Sequence, residues 1–255
     1  MRGLLTTSRT AFAEVLANRA SLVVQALTMA INDAIWVLFW VLFFHEVGEL
    51  GGWDADKIIV LQACLTTAGG LTLGLLSNAR RIGSMAVDGG LDAVLALPVP
   101  PLAFVLVRKI EAVNVGDFAF GVVLFLVAGH PTPERLAMFV AVVLASTVLL
   151  TSFLVLAGSL AFFIGRSESG ELGFNAVLLL GAYPVDVFAG ATRVLLFTIV
   201  PAVFIAAVPA SLVSEFDAGR ALGLATAAAV FAVAAASTFN LGLRRYTSGS
   251  IWTRA

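Results

Sequence analysis

Of the 255 residues, 60% are hydrophobic and 12% charged, roughly half the charged share of a soluble domain, so the composition is that of a membrane protein. With 15 Lys and Arg against 16 Asp and Glu, no basic excess points to a nucleic-acid partner. The single cysteine, Cys64, lies in an apolar run, which excludes an internal disulfide framework and suits a packed small hydrophobe.

Residues 1–21 carry scattered arginines and no compact apolar core ending in a small-residue cleavage site, unlike a removable signal peptide. Leu4, Leu5, Phe12, Val15 and Leu16 gather on one flank at helical spacing. That pattern predicts an interfacial helix, with an unstructured leader as the alternative. A bilayer core of about 30 Å needs about 20 apolar residues in a helix. The segments that meet this are 22–44, 58–76, 102–128 and 136–164, followed by three more at 172–188, 194–213 and 221–243.

Arginines set the orientation, because loops retained in the cytoplasm keep them. Arg2, Arg9 and Arg19 precede the first span, Arg80 and Arg81 follow the second, Arg166 follows the fourth, and Arg244, Arg245 and Arg254 end the chain. All belong inside. The 45–56 loop carries carboxylates and no Arg or Lys, and the 129–134 loop is short, which suits the outer face. Both termini inside require an even number of crossings, so one of the seven segments does not cross. The segment 194–213 contains Pro201 and Pro209, with Pro184 upstream, and breaks its own helices. The region 189–215 is therefore expected to dip back from outside while 172–188 crosses; the reverse assignment stays open. No internal repeat or separately folding hydrophilic stretch is visible, so 1–255 is expected to be a single membrane domain.

The loop 77–101 is dense in charge, glycine and proline. Within it, 86–97 predicts a short helix interrupted at Gly89 and Gly90 and stopped by Pro98, with Pro100 and Pro101 beyond. Such a helix either transmits force between two spans or lies on the surface without a partner. In the third span, Glu111, Asn114, Asp117 and Gly121 fall within a face of about 120°, with Arg108 one turn before Glu111. A charge in hydrocarbon costs about 2.5–3.5 kcal/mol, so these groups face protein or water: either a polar path wall or an Arg108–Glu111 pair joining helices. In the first span, Gln25, Thr28, Asn32 and Trp36 share a stripe with Asp33 beside it, suited to helix–helix hydrogen bonds or to substrate contact. Gly70 and Gly74 form a pair spaced for close helix approach. Asp186 and Arg193 either close an outer gate as an ion pair or sit among headgroups.

Other chemistries find no support. His45 and His130 lack zinc-site spacing, Ser167 lacks the glycine two residues on that a nucleophile elbow requires, and the only lysines, Lys57 and Lys109, do not follow the glycine of a phosphate-binding loop. No metal ligands or catalytic residues are expected.

The run RRIGSMAVDGGLDAVLALPVPP resembles the cytoplasmic loop of six-span ABC-2 type permeases. YPVDVFAGATRVLLFTIVPAVFIAAVPASLV is similar to a second landmark of that branch through Tyr183, Pro184, Phe188, Gly190, Arg193, Pro201, Phe204, Ile205 and Pro209, and LRRYTSGSIW resembles its tail. Ala206 and Ala207 depart from the pattern, standing where aromatic residues are common in the branch. The resemblance implies an all-α integral membrane protein with six transmembrane helices, an N-terminal interfacial helix, a cytoplasmic coupling helix and a re-entrant outer segment before the last span. It implies a subunit of an ATP-driven exporter that pairs with a second permease and with separate ATPase subunits, ATP and Mg being bound by those partners and no cofactor by this chain. It places ATPase coupling at Arg80, Arg81, Asp88, Gly89, Leu91, Asp92, Leu95 and Pro98, so that Leu91→Arg is expected to abolish stimulated transport and leave membrane insertion intact. Asn32, Asp33, Glu111, Asn114 and Asp117 are expected along the translocation path or in polar helix contacts. Tyr183, Pro184, Asp186, Gly190, Arg193, Pro201 and Pro209 are expected in the outer gate or re-entrant region, and Gly70 and Gly74 either between two permeases or within this chain. The expected location is a bacterial plasma membrane with both termini cytoplasmic; the preference for Arg over Lys, with abundant Ala and Val, accompanies high genomic GC. The rival reading is an ion-coupled secondary transporter driven through Asp33 and Asp117. An intramembrane enzyme would need a converging nucleophile and base, which are not found. Nothing in the sequence selects a substrate.

Overall fold

The computed structural model describes residues 2–165, 172, 175, 180–183, 190 and 200–247, with side chains from residue 6 onward, and the regular structure among them is helical. Helix α1 (Arg2–Ala17) leads into α2 (Arg19–Val47), whose start is fixed by Asn18 accepting from the Ser21 N–H at 3.2 Å. A 29-residue helix is about 44 Å long, more than a bilayer core requires. It ends at Gly48, whose N–H bonds the Phe44 carbonyl at 2.8 Å. Asp54 then caps α3 (Ala55–Gly70) by accepting from Lys57 N–H at 2.8 Å. Helix α3 runs into a π-turn, Leu71–Leu75, and a 3-10 turn, Ser77–Arg81.

Helix α3 is the centre of the molecule. Ile58, Leu61, Ala63, Cys64 and Ala68 are wholly buried, and α2, α7 (Val113–Ala128) and α8 (Pro133–Ser159) pack around it. Small residues set the distances. A Cβ on Gly70 would run into the Phe118 backbone, Gly74 lies against Asn114, and Gly121 against Thr66 and Thr67. Gly70 and Gly74 therefore serve packing within this chain, which removes the expectation that they lie between two permeases. On the other flank α8 pairs with α12 (Ala218–Leu243), a contact filled by Phe153 and Phe231. Thr132 caps α8 and Asp217 caps α12 through the N–H groups of Arg135 and Arg220.

Among the described residues, four helical segments are long and apolar enough to cross a membrane: Arg19–Val47, Ala55–Leu75, Pro133–Ile164, which adds the short helix α9 (Ala161–Ile164) to α8, and Ala218–Leu243. The expected third span is not one helix. It divides into α6 (Pro101–Val107) and α7, with residues 108–112 between them. The reason is local: the break carries Arg108, Lys109 and Glu111, and its backbone is taken up by neighbours. Asn78 Nδ2 donates to the Val105 carbonyl at 2.9 Å, Ser77 Oγ to the Lys109 carbonyl at 2.9 Å, and the Glu111 N–H to the Gly74 carbonyl at 2.9 Å. Glu111 therefore does not share a helical face with Asn114 and Asp117, contrary to the periodicity.

The glycine-rich loop also differs from its expected form. Its main helix, α4 (Ile82–Val87), precedes the glycines, Gly89 turns the chain with φ of 79°, and only one turn, α5 (Asp92–Leu95), follows. A positive φ is cheap only for glycine. Two short helices, α10 (Ala202–Ile205) and α11 (Ala207–Ser214), are buried against α3 and α8, and Ser146 Oγ donates to the Phe204 carbonyl at 3.4 Å where they break. Ala206 and Ala207 are buried at that break, a place with no room for an aromatic ring. Most of 172–188 and all of 191–199 lie outside the described residues.

Candidate functional site

Helices α2, α3 and α7 line a half-open cavity of about 610 Å³. Asp33 of α2 and Asp117 of α7 both line it, within electrostatic reach of one another. One oxygen of each, Asp33 Oδ2 and Asp117 Oδ1, is buried with no hydrogen-bond partner among the described residues. Asn114 Nδ2 donates to the Leu73 carbonyl at 3.3 Å, which the π-turn presents toward α7. Gln62 Nε2 donates to the Ala182 carbonyl at 3.2 Å and so holds the approach to Tyr183. Asn32 lines the same space, whereas Gln25 and Thr28 bond within α2, to Ser21 and to the Val24 carbonyl.

The two ends of the cavity differ in chemistry. Toward the loop 77–101, Glu111 is 15% exposed and gathers three cations: Arg80 at 2.7 Å, Arg81 at 3.0 Å and Lys109 at 3.3 Å. These are its partners in place of Arg108. Arg80 and Arg81 thus both engage Glu111, Arg80 largely covered and Arg81 still almost half exposed. At the opposite end Trp36 and Tyr183 line the cavity, and Tyr183 meets Trp40 edge to face at 5.7 Å. Gln62, Ser77, Asn78 and Lys109 hold this site without belonging to any motif. The sole hint is that Ser77 and Asn78 end an apolar run.

In the loop itself Leu91 is wholly buried. It is a packing residue, so the expectation that it contacts a partner is corrected: Leu91→Arg would place a charge in the core. The exposed surface includes Asp88, Ala93, Leu95 at 42% exposure, Leu97 and Pro98, with Gly89 partly buried beside it. Asp92 is engaged inside the chain, accepting from Tyr246 Oη at 2.7 Å across 154 positions. Phe162 packs against both Tyr246 and Phe239, and the Arg245 guanidinium lies 5.2 Å from the Phe163 ring centre. The last helix is thereby tied to the loop. Tyr246→Phe is expected to lower transport severalfold while leaving expression and thermal stability within about 1 kcal/mol of wild type; full transport by that variant would show that the bond transmits nothing.

Among the remaining expected gate residues, Gly190 is exposed with φ of 59°, and Pro201 and Pro209 are buried in the α10–α11 region. Pro184, Asp186 and Arg193 lie outside the described residues.

No curated protein and no solved structure matches the chain. A family model for ABC-2 family transporter proteins matches residues 30–250, a stretch that takes in the cavity, the loop and the broken third span. The chain therefore belongs to the ABC-2 transporter family, as a multi-pass membrane protein and the permease component of an ABC transporter.

Proposed function

We propose that this chain is one of two permease subunits of an ATP-driven exporter in a bacterial plasma membrane, with both termini cytoplasmic and ATP and Mg bound by separate ATPase chains. Six crossings are assigned to α2, α3, α6 with α7, α8 with α9, the segment 172–188, and α12. Helix α1, with Phe12 and Leu16 exposed, lies at the interface, and α10 and α11, at 4 and 8 residues too short to span, form the re-entrant outer region.

The observation that carries the reading is the chain of contact from loop to cavity. The exposed patch around Leu95 stands on the segment that contains Arg80 and Arg81, and both grip Glu111 at the mouth of the cavity. When nucleotide binding draws the ATPases together, the loop moves, the arginines carry Glu111 and the 108–112 break with them, and the cavity exchanges one opening for the other. Each state then differs in which end the ion cluster closes. The surface face of α2, from Val24 through Leu27, Ile31, Ile35, Leu38 and Leu42, is apolar and exposed, as lipid or a second permease requires.

The test is to tag the chain, extract it gently from its native membrane, identify any stoichiometric partner and measure vanadate-sensitive ATP hydrolysis. A copurifying ATPase that is lost in Leu95→Arg is the expected result. A folded chain that carries no ATPase and transports on an ion gradient alone would overturn the reading in favour of an ion-coupled transporter.

A further inference from the structure

We propose that the cavity between α2, α3 and α7 is a binding site for an amphiphilic organic monocation, held between Asp33 and Asp117 with its apolar body against Trp36 and Tyr183. This deepens the permease reading by naming the class of its cargo, and rests on it.

The charge arithmetic of the cavity supports this choice. Its described lining includes three carboxylates, Asp33, Glu111 and Asp117, and one cation, Arg80. Glu111 is matched by Arg80 at 2.7 Å and by Arg81 and Lys109 beside it. Among the described residues no ion pair reaches Asp33 or Asp117, and one oxygen of each is shielded without a donor. Two carboxyls on facing helices in a low-dielectric interior repel when both are ionised, and either a proton or a positive group between them relieves the repulsion. The described residues supply no positive group there, so an incoming cation can take that place.

Size and lining then select the kind of cation. A bare ion or proton needs a few oxygen ligands and no room, whereas about 610 Å³ is within the range of about 300–1,000 Å³ typical of small-molecule sites. The remaining wall is largely apolar, with Met29, Leu65 and Leu73 among its members, and the aromatic faces of Trp36 and Tyr183 attract a delocalised or alkylated cation. The loop end, crowded with Arg80, Arg81 and Lys109, repels that charge and favours entry with the apolar part foremost.

The experiment uses the full chain in lipid nanodiscs, radiolabelled tetraphenylphosphonium as the probe, and tetraphenylborate as a control of similar shape and opposite charge. Saturable binding of the phosphonium and not of the borate is expected. Asp33→Asn and Asp117→Asn, nearly the size of the native side chains, should each weaken it by about tenfold or more. Trp36→Ala, at a partly exposed position, should weaken it severalfold and preserves the test if an Asn variant does not fold. Equal binding of the two probes, or unchanged phosphonium affinity in both Asn variants, would overturn the assignment, as would a site that binds sodium and no phosphonium. Because binding is read without nucleotide, the arms separate. An ATPase partner with no phosphonium site leaves the exporter reading standing and removes the cargo class; phosphonium binding with no ATPase partner does the opposite.

Discussion

Glu111→Ala is expected to abolish ATP-driven transport and to destabilise the folded chain by on the order of 2–4 kcal/mol. The side chain is 15% exposed and accepts from Arg80 at 2.7 Å, Arg81 at 3.0 Å and Lys109 at 3.3 Å. Removing it leaves three like charges crowded at the end of the cavity with no anion among them. The full cost of breaking a buried pair would be larger, but Arg81 and Lys109 are almost half exposed and relax into water. The functional loss exceeds the loss of stability because Glu111 sits in the 108–112 break and is the group through which Arg80 and Arg81 reach the third span. Arg81→Ala, which leaves Arg80 and Lys109 on the carboxylate, should retain most of both properties. Thermal denaturation followed by size-exclusion chromatography, with vanadate-sensitive transport in proteoliposomes, reads the two effects separately; wild-type transport by Glu111→Ala would sink the linkage.

Gly116→Leu is expected to detach α2 from α7. A Cβ at Gly116 would stand 2.7 Å from the Ala26 Cα, backbone against backbone, with no side chain to give way. Overpacking by even a methyl group costs about 1–3 kcal/mol where the neighbours are rigid, and leucine adds three more carbons. Besides its contact with α3 and the buried Trp40 and Phe44 near its end, helix α2 has little else to hold it, since only 11% of its most apolar stretch is buried. Once displaced it takes Asn32 and Asp33 with it and opens the cavity, so the variant should lose both thermal stability and phosphonium binding. Gly69 gives the matched control. Nothing lies within 4 Å of a Cβ there, so Gly69→Ala should be neutral or slightly stabilising through its higher helix propensity. Equal stability of the two variants would mean that the α2–α7 contact is not the seat of α2.

Hydropathy located the spans that run as single helices, because the need to bury some 20 residues is written into each one. It failed at 108–112 for a tertiary reason: a break in an apolar segment survives only if other groups take its free carbonyls, and Ser77 and Asn78, some thirty residues earlier, do so. The close approach promised by Gly70 and Gly74 was visible in their spacing, but the partner was not, since α7 is reached only through the fold. Within the loop, Leu91 and Leu95 look equivalent as letters. The positive φ at Gly89 decides which of them turns inward, and no periodicity carries across such a turn. Asp33 and Asp117 stood out in the sequence as costly residues in hydrocarbon; that they face each other across one cavity follows from the packing of α2 on α7 at Gly116.

The shortness of α7 makes this permease sensitive to membrane thickness. Sixteen helical residues reach about 24 Å, some 6 Å less than an average hydrocarbon core, so the crossing that α6 and α7 share sets its 108–112 break, where Glu111, Arg80, Arg81 and Lys109 cluster, near the edge of the hydrocarbon. Lipid beside α7 must thin or admit headgroups and water to that depth, at a fraction of a kcal/mol for each ångström of mismatch. Short-chain lipids therefore favour an ion cluster open to water, and long-chain or sterol-thickened bilayers favour one that is sealed. The acyl chains of the host membrane become a silent effector of the cycle, acting through the crossing that is broken at 108–112.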